Sequence, residues 1–413
     1  MIRALFCVTA AIAAWQPMGP VGLRSPGTLS RPAAQETAAA LRQRAYEATY
    51  NLDYDQAIAL ARQAVAAAPG DSDAHRTLAT TVWLQLIFVR GDVTIDPYLN
   101  GTVHELALLS PLPSGLDAEC RQEIARAIDL AESWTVREPQ NLDARYELGA
   151  AYALRASYLA SVTGNTSNAF GAARHAYEAE ESVLEHDPSR TGAAVIVGLY
   201  RYIISTLALP SRLFAYVAGF SGDKAKGISL LESAATQGDS QVEAGVALLL
   251  IYAREGRHGD AIRVATRLET EFPRNRLFTL EAGSAAVRAG RGAEGDAILS
   301  RGLAALATDT RPRFPGERAL WLLKRGMART ELDLLADARA DLGAGAADEP
   351  TGWIGGRIHL ELGRVDDLAG RRSDAVAEYG QSRRLCAAAH DDPCVDSANR
   401  LLDKPFHDKG EGP

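Results

Sequence analysis

The chain has 413 residues, of which 47% are hydrophobic but only 7% aromatic, so small side chains must build much of the interior. Such a composition, with Gly and Pro as punctuation, favours close-packed helices over a β-sandwich. The formal net charge is −8, from 52 acidic and 44 basic residues. This charge argues against nucleic acid as the main partner, because phosphate binding needs a basic surface.

The N-terminus indicates an export signal. Arg3 supplies a short positive region, residues 4–13 form an apolar run too short to span a bilayer, and residues 11–13 (Ala-Ile-Ala) fit the pattern before a cleavage site. We therefore predict a signal peptide at 1–14 and an exported chain, periplasmic or secreted. A retained anchor or a disordered end is the alternative. Residues 15–34 hold four prolines among Gly and Ser, which predicts a flexible linker.

From about residue 35 to 405, the pattern predicts pairs of short helices. In residues 245–275, apolar side chains recur at three- to four-residue spacing, Gly256 ends the first helix and Pro273 stops the second. Asp260 is predicted to cap the second helix. Small residues at the crossing allow close antiparallel packing, and copies must stack because neither helix buries its remaining apolar face alone. The residues that define this copy are Leu248, Leu249, Tyr252, Ala261, Ala265 and Leu268.

Other copies keep the same order. Residues 54–71 supply a second helix, residues 144–156 supply a first helix, and Gly256 and Gly290 stand 34 residues apart. The matching residues are Leu148, Gly149, Tyr152, Leu248, Tyr252, Ala261 and Pro273, with Leu249 where Gly is usual and Ala265 where an aromatic residue is usual. This pattern resembles the tetratricopeptide-repeat (TPR) family. The resemblance implies an all-α fold, a right-handed superhelical solenoid of antiparallel helix pairs with a concave binding surface.

Two stretches interrupt the repeats and are predicted insertions. Residues 91–115 contain many turn formers, and residues 193–220 form an unusually apolar hairpin bent at Pro210. The helix after this hairpin is predicted to be capped by Ser221 or Asp223. Residues 406–413 are predicted to be a disordered tail.

The middle of the chain, about residues 190–300, carries a more specific resemblance. It is based on Leu209-Pro210, Gly219-Phe220, Gly222-Asp223-Lys224, Gly227, Leu230-Leu231, Tyr252 and Phe272-Pro273-Arg274-Asn275. These residues resemble the TPR subfamily that contains a eukaryotic mitochondrial outer-membrane protein implicated in clearing protein inclusions. The resemblance implies an interaction protein rather than an enzyme. The predicted signal peptide departs from that cellular address.

Three cysteines remain once the predicted signal peptide is removed, namely Cys120, Cys386 and Cys394. An odd count in an exported chain suggests one pair and one free thiol. We predict a short disulfide loop between Cys386 and Cys394. A metal site that includes His390, or unpaired thiols, are the alternatives.

A partner is expected to contact first-helix side chains along the concave surface. Tyr rings with polar tips suit recognition of a peptide segment, and Arg suits a carboxylate. The alternative is that the aromatic rings fill packing positions and that the Arg side chains are solvated. The candidate partner-binding residues are Arg42, Tyr46, Tyr50, Arg76, Trp83, Tyr146, Arg254 and Arg288.

The sequence therefore predicts an exported, non-catalytic scaffold that binds a protein or peptide partner. The alternative is a carrier that holds a small apolar or carboxylated ligand near residues 193–220, in a pocket lined by Leu199, Tyr202, Ile203 and Phe214. Arg201 and Arg212 in the same hairpin permit contact with lipid headgroups, unless the hairpin is buried. Residues 290–295 have the glycine spacing of a dinucleotide fingerprint, but they follow a predicted helix instead of a strand. No cofactor, metal or catalytic residue is predicted.

Overall fold

The computed structural model describes residues 36–99, 111–217, 219–350 and 352–407. This part of the chain holds 19 α-helices and no β-strand. They are α1 (Ala38–Tyr50), α2 (Tyr54–Ala67), α3 (Ser72–Arg90), α4 (Asp96–Leu99), α5 (Ser114–Arg137), α6 (Leu142–Tyr158), α7 (Thr166–His186), α8 (Thr191–Thr206), α9 (Leu209–Val217), α10 (Lys224–Ala234), α11 (Gln241–Arg254), α12 (His258–Glu271), α13 (Arg276–Arg288), α14 (Gly292–Thr308), α15 (Glu317–Glu331), α16 (Leu335–Ala347), α17 (Trp353–Leu368), α18 (Arg372–Ala388) and α19 (Asp392–Asp403).

Several sequence predictions fall outside the described residues. The signal peptide at 1–14 and the linker at 15–34 do so completely. Residues 100–110 of the first predicted insertion and residues 408–413 of the predicted tail also lie outside. In the part that the structure describes, no helix combines the length and the apolar character needed to cross a membrane.

The helices form two compact units. The N-terminal unit contains residues 36–86, 113–217 and 219–247, and the C-terminal unit contains residues 87–99, 111–112, 248–350 and 352–407. In the N-terminal unit, α1 packs on α2, and α5, α6, α7 and α8 each pack on the next helix. In the C-terminal unit, every helix from α12 to α18 packs on its successor. The predicted all-α fold of stacked helix pairs is therefore confirmed within each unit.

The C-terminal unit has an inner layer made of its first helices. Alternate helices contact one another in turn, namely α13, α15, α17 and α19. Each of the intervening helices, α14, α16 and α18, packs on the helix before it and the helix after it. Close approach between successive helices needs glycine at the crossing. A Cβ added to Gly302 on α14 would lie 2.1 Å from the Trp321 ring on α15, which is too close for any side chain. We call α13, α15, α17 and α19 the inner layer.

The second predicted insertion is smaller than expected. Gly198 on α8 and Gly227 on α10 bring the two backbones together, because a Cβ on Gly227 would lie 2.6 Å from the Gly198 carbonyl oxygen. The helix α8 is therefore the first helix of an ordinary pair with α10, and α9 is the additional element between them. This corrects the predicted insertion boundaries of 193–220. Asp223 caps α10 by accepting the Lys226 backbone N–H at 2.9 Å, as predicted.

The turn between α11 and α12 contains the predicted helix-ending glycine, but α12 does not begin at the predicted cap. Gly256 adopts φ +69°, a left-handed conformation that glycine tolerates without a Cβ clash. The helix α12 begins two residues before Asp260, with Arg257 at the N-cap. Asp260 instead lies in the first turn and accepts a hydrogen bond from Arg257 Nε at 2.5 Å. Its carboxylate still counters the positive end of the helix dipole.

Candidate functional site

A pocket of about 230 Å³ lies on the inner layer of the C-terminal unit. Its walls come from α15, α17 and α19, which are first helices of successive pairs and the closing helix. The pocket therefore exists only because the pairs stack. Its lining residues are Leu323, Lys324, Met327, Arg357, Leu360, Glu361, Arg364, Pro393, Cys394 and Ser397.

Two arginines on α17 line the pocket, seven residues or about two helical turns apart. Arg357 donates from Nε and Nη2 to the two carboxylate oxygens of Asp391, at 2.7 and 3.0 Å. Arg364 donates to Glu361 at 2.8 Å, and its guanidinium lies 5.3 Å from the centre of the Phe406 ring. The Nε of Arg364 is buried and has no hydrogen-bond partner among the described residues. Arg357 is thus paired with a carboxylate of this chain, whereas Arg364 keeps an Nε without a hydrogen-bond partner among the described residues.

The third cation of the pocket, Lys324 on α15, is held by the short helix α4. Its Nζ donates to the Asp96 carboxylate, and both side chains are buried. Arg288 on α13 approaches the same carboxylate at 3.6 Å, and Glu281 accepts the Ile95 backbone N–H at 3.1 Å. Burial alone would raise the pKa of Asp96, but the charges of Lys324 and Arg288 outweigh it and leave the pKa below its ordinary value. An acidic residue of this chain therefore already occupies part of the inner layer.

A disulfide holds the α19 wall of the pocket. Cys386 near the end of α18 is bonded to Cys394 at the start of α19, with the sulfurs 2.04 Å apart. Cys394 lines the pocket directly. The Asp391 carboxylate lies close enough to both sulfurs for a metal site, but the sulfurs are bonded to each other and Asp391 is bound to Arg357. Cys120 is a buried free thiol.

The predicted aromatic residues on α1 lie in the interior of the N-terminal unit. Tyr46 is 4% exposed and its hydroxyl accepts a hydrogen bond from Thr77 at 3.1 Å. Tyr50 is 9% exposed and donates to Glu243 at 2.9 Å. These tyrosines connect helices inside the unit, so a partner could not contact them without opening the packing.

The predicted arginines of the same region belong to a buried ionic network. Arg76 is completely buried and donates to Glu147 from Nε and Nη2, both at 3.0 Å, and to Asp73 at 2.6 Å. Arg42 pairs with Asp71 at 2.6 Å and with Asp73 at 2.9 Å. We interpret this network as part of the fold and not as a binding surface. Removing one of the carboxylates would leave the buried guanidinium without compensation for its charge.

The remaining predicted residues are divided between interior and partly exposed positions. Trp83 is buried and donates to Ser161 at 2.9 Å. Tyr146 is 2% exposed, and its hydroxyl fills the space where a Cβ on Gly192 would lie. Arg254 is partly exposed and Arg288 belongs to the Asp96 cluster. The expectation of an open groove lined by these eight side chains is therefore corrected, because most of them are packing residues.

The residues predicted to line a carrier pocket are also buried between packed helices. Leu199, Tyr202 and Ile203 are all buried along α8, where this helix packs on α10. The side chain of Phe214 lies outside the described atoms. The apolar character of α8 thus reflects a helix enclosed by its neighbours.

Sequence reasoning missed Lys324, Arg357 and Arg364. Arg357 and Arg364 are seven residues apart, so they share one helix face, and this spacing was a usable signal. Lys324 is one of only five lysines in the chain. Nothing local distinguishes these cations from solvated ones, however, because their convergence depends on α4 and α19 arriving from distant parts of the sequence.

The helix packing places the chain in the α-solenoid class, a protein made of repeated helix pairs. Among solved structures it is similar to a tetratricopeptide repeat protein from Parabacteroides merdae, with 13% identity over 79% of this chain and 97% of the other and a TM-score of 0.30. It is also similar to yeast Tom70, with 9% identity over 90% of each chain and a TM-score of 0.38. A human IFIT1 dimer with m7Gppp-AAAA gives 13% identity over 98% of this chain and 87% of the other, with a TM-score of 0.44.

No family model matches the sequence, and no curated protein matches it. Because the three TM-scores are below 0.5, the fold class depends on the helix packing described above. The narrower resemblance to the mitochondrial outer-membrane subfamily stays a prediction.

Proposed function

We propose that this chain is an exported, non-catalytic scaffold that binds a protein partner through the inner layer of its C-terminal unit. The observation that carries this proposal is the pocket, where Arg364 keeps an Nε without a hydrogen-bond partner while Lys324 and Arg357 are paired with Asp96 and Asp391. A planar guanidinium presents paired donors that match a carboxylate, and such charge-assisted bonds are about twice as strong as neutral ones. The partner would therefore insert a segment that bears an acidic side chain or a carboxyl terminus.

The apolar part of the pocket suits the residue next to that carboxylate. Leu323, Met327 and Leu360 lie beside the cations, and Met adapts its shape to different side chains. The volume of about 230 Å³ is below the roughly 300–1,000 Å³ of small-molecule sites. This size favours one or two residues of a longer segment over a whole carried ligand. The scaffold is therefore preferred to the carrier.

Two features support an exported location. The N-terminal segment 1–14 has the composition of a signal peptide. The Cys386–Cys394 disulfide is typical of oxidising compartments. Neither feature depends on the pocket, so the proposed location and the proposed binding site can be refuted independently.

The binding site is tested with dye-labelled pentapeptides that end in Leu-Asp or Leu-Glu, each with a free or an amidated carboxyl terminus. Fluorescence anisotropy should show binding of the acidic peptides, and Arg364→Gln should weaken it about 10- to 100-fold, the loss of one charge-assisted contact. Arg301→Gln is the matched control, because this arginine is 61% exposed on α14 and pairs with Glu269. Equal affinity in the two variants, or no preference for acidic peptides, would refute the proposed site.

A further inference from the structure

The helix α9 carries a stripe of exposed apolar side chains. Among the described residues, eight large hydrophobic side chains are exposed, and four of them lie on this nine-residue helix. They recur at spacings of four, three and one, which places them on one helix face. Ala215 on the opposite face is buried. The exposed residues are Leu209 at 63%, Leu213 at 60%, Tyr216 at 43% and Val217 at 90%.

This stripe belongs to a helix that is already anchored. The backbone N–H of Phe220 donates to the Ala215 carbonyl at 3.0 Å and closes the end of α9. The Phe220 ring is buried between Phe170 and Tyr177, with ring centroids 5.1 and 5.2 Å away. The buried side of α9 is thus fixed on the N-terminal unit, and its apolar stripe is presented to solvent. Exposed apolar patches of this kind mark contact with a partner or a membrane.

The segment that contains the stripe has a net positive charge. Residues 209–232 contain Arg212, Lys224 and Lys226 against Asp223 and Glu232, a formal +1 in a chain that carries −8. Lys224 and Lys226 are both exposed, and they are two of the five lysines in the chain. The Asp223 carboxylate is engaged as the cap of α10. An apolar helix face with clustered basic residues is the pattern of a helix that lies in a membrane interface.

We propose that α9 docks this protein on an anionic lipid surface. Leu209, Leu213 and Val217 enter the boundary between headgroups and acyl chains, and the basic side chains contact headgroup phosphates. A nine-residue helix spans about 13 Å, less than half of a bilayer core, so it lies on the surface and does not cross it. This inference does not depend on the peptide pocket, which lies in the other unit.

The test is sedimentation of the full chain with vesicles of 30% phosphatidylglycerol in phosphatidylcholine, compared with pure phosphatidylcholine. We expect binding to the anionic vesicles only. The double variant Leu213→Asp, Val217→Asp should weaken it about tenfold or more, since two apolar side chains lose their burial. Lys224→Gln and Lys226→Gln should each weaken it about fivefold at low salt. Circular dichroism checks that each variant keeps its helical content.

The matched control is Val136→Asp, because this residue is 80% exposed and belongs to a different helix, α5. It should leave vesicle binding unchanged. Because the full chain retains its N-terminal segment, the difference between the stripe variant and this control is the decisive readout. Equal binding of both variants would overturn the proposal. It would also be overturned if size-exclusion chromatography showed self-association that the stripe variant abolishes, with no vesicle binding by the parent chain.

Discussion

Glu180→Gln should make the stability of this protein less sensitive to pH. Glu180 on α7 is completely buried, and neither carboxylate oxygen has a hydrogen-bond partner among the described residues. It packs against Gly149, where a Cβ would lie 2.5 Å from the carboxylate. Burial raises the pKa of Glu180 well above its ordinary value, and the nearby charge of Glu147 raises it further. The folded protein therefore favours the neutral form of this side chain.

The magnitude follows from proton linkage. The ordinary pKa of this carboxyl is 4.5, so above that pH the unfolded chain releases a proton that the folded chain keeps. Each further pH unit then lowers the free energy of unfolding by about 1.4 kcal/mol. This loss continues as the pH rises from 5, until the pH reaches the raised pKa that Glu180 has in the folded chain. Glutamine has almost the same shape and does not titrate, so the variant should lack this loss.

The assay is urea unfolding at pH 5, 6, 7 and 8, followed by circular dichroism. The parent should lose stability as pH rises from 5, and Glu180→Gln should gain on the parent by about 1.4 kcal/mol for each pH unit below the folded pKa of Glu180. Glu178→Gln is the control, because that side chain is 47% exposed and pairs with Arg174. Parallel pH profiles for the parent and Glu180→Gln would refute the reasoning, since the carboxyl would then be ionised in the folded state.

Two further predictions concern the C-terminal unit. Replacing both Cys386 and Cys394 by Ser should lower the free energy of unfolding by about 2.5 kcal/mol, because the unfolded chain is no longer constrained by the short loop; a melting temperature equal to that of the oxidised parent would contradict this. Gly302→Ala should destabilise the unit by about 1–3 kcal/mol, because its Cβ would overlap the Trp321 ring. Gly343→Ala, where nothing lies within 4 Å, should instead stabilise it by about 0.5–1 kcal/mol. Thermal melts of the two glycine variants should shift in opposite directions, and shifts in the same direction would argue against the close contact at Trp321.

Local chemistry explains why the helix pairs could be predicted. Gly256 ends a helix because only glycine adopts its left-handed backbone without strain, and Pro273 cannot continue the next helix. Asp223 caps α10 through a contact three residues away. Such signals act over a few neighbouring residues, about one helical turn, so they can be recognised in the sequence.

The sequence by itself determined the helices, their small-residue crossings and the pairing that follows from short connections. Only the tertiary structure decided which first-helix side chains are accessible. Arg76 is buried by Glu147, which is 71 residues away, and Lys324 is held by Asp96, which is 228 residues away. Helical periodicity shows that a face is covered, but it does not show whether solvent, a neighbouring helix or a carboxylate lies opposite. That choice depends on long-range packing, which places Arg76 in the interior and Arg364 on the wall of a pocket.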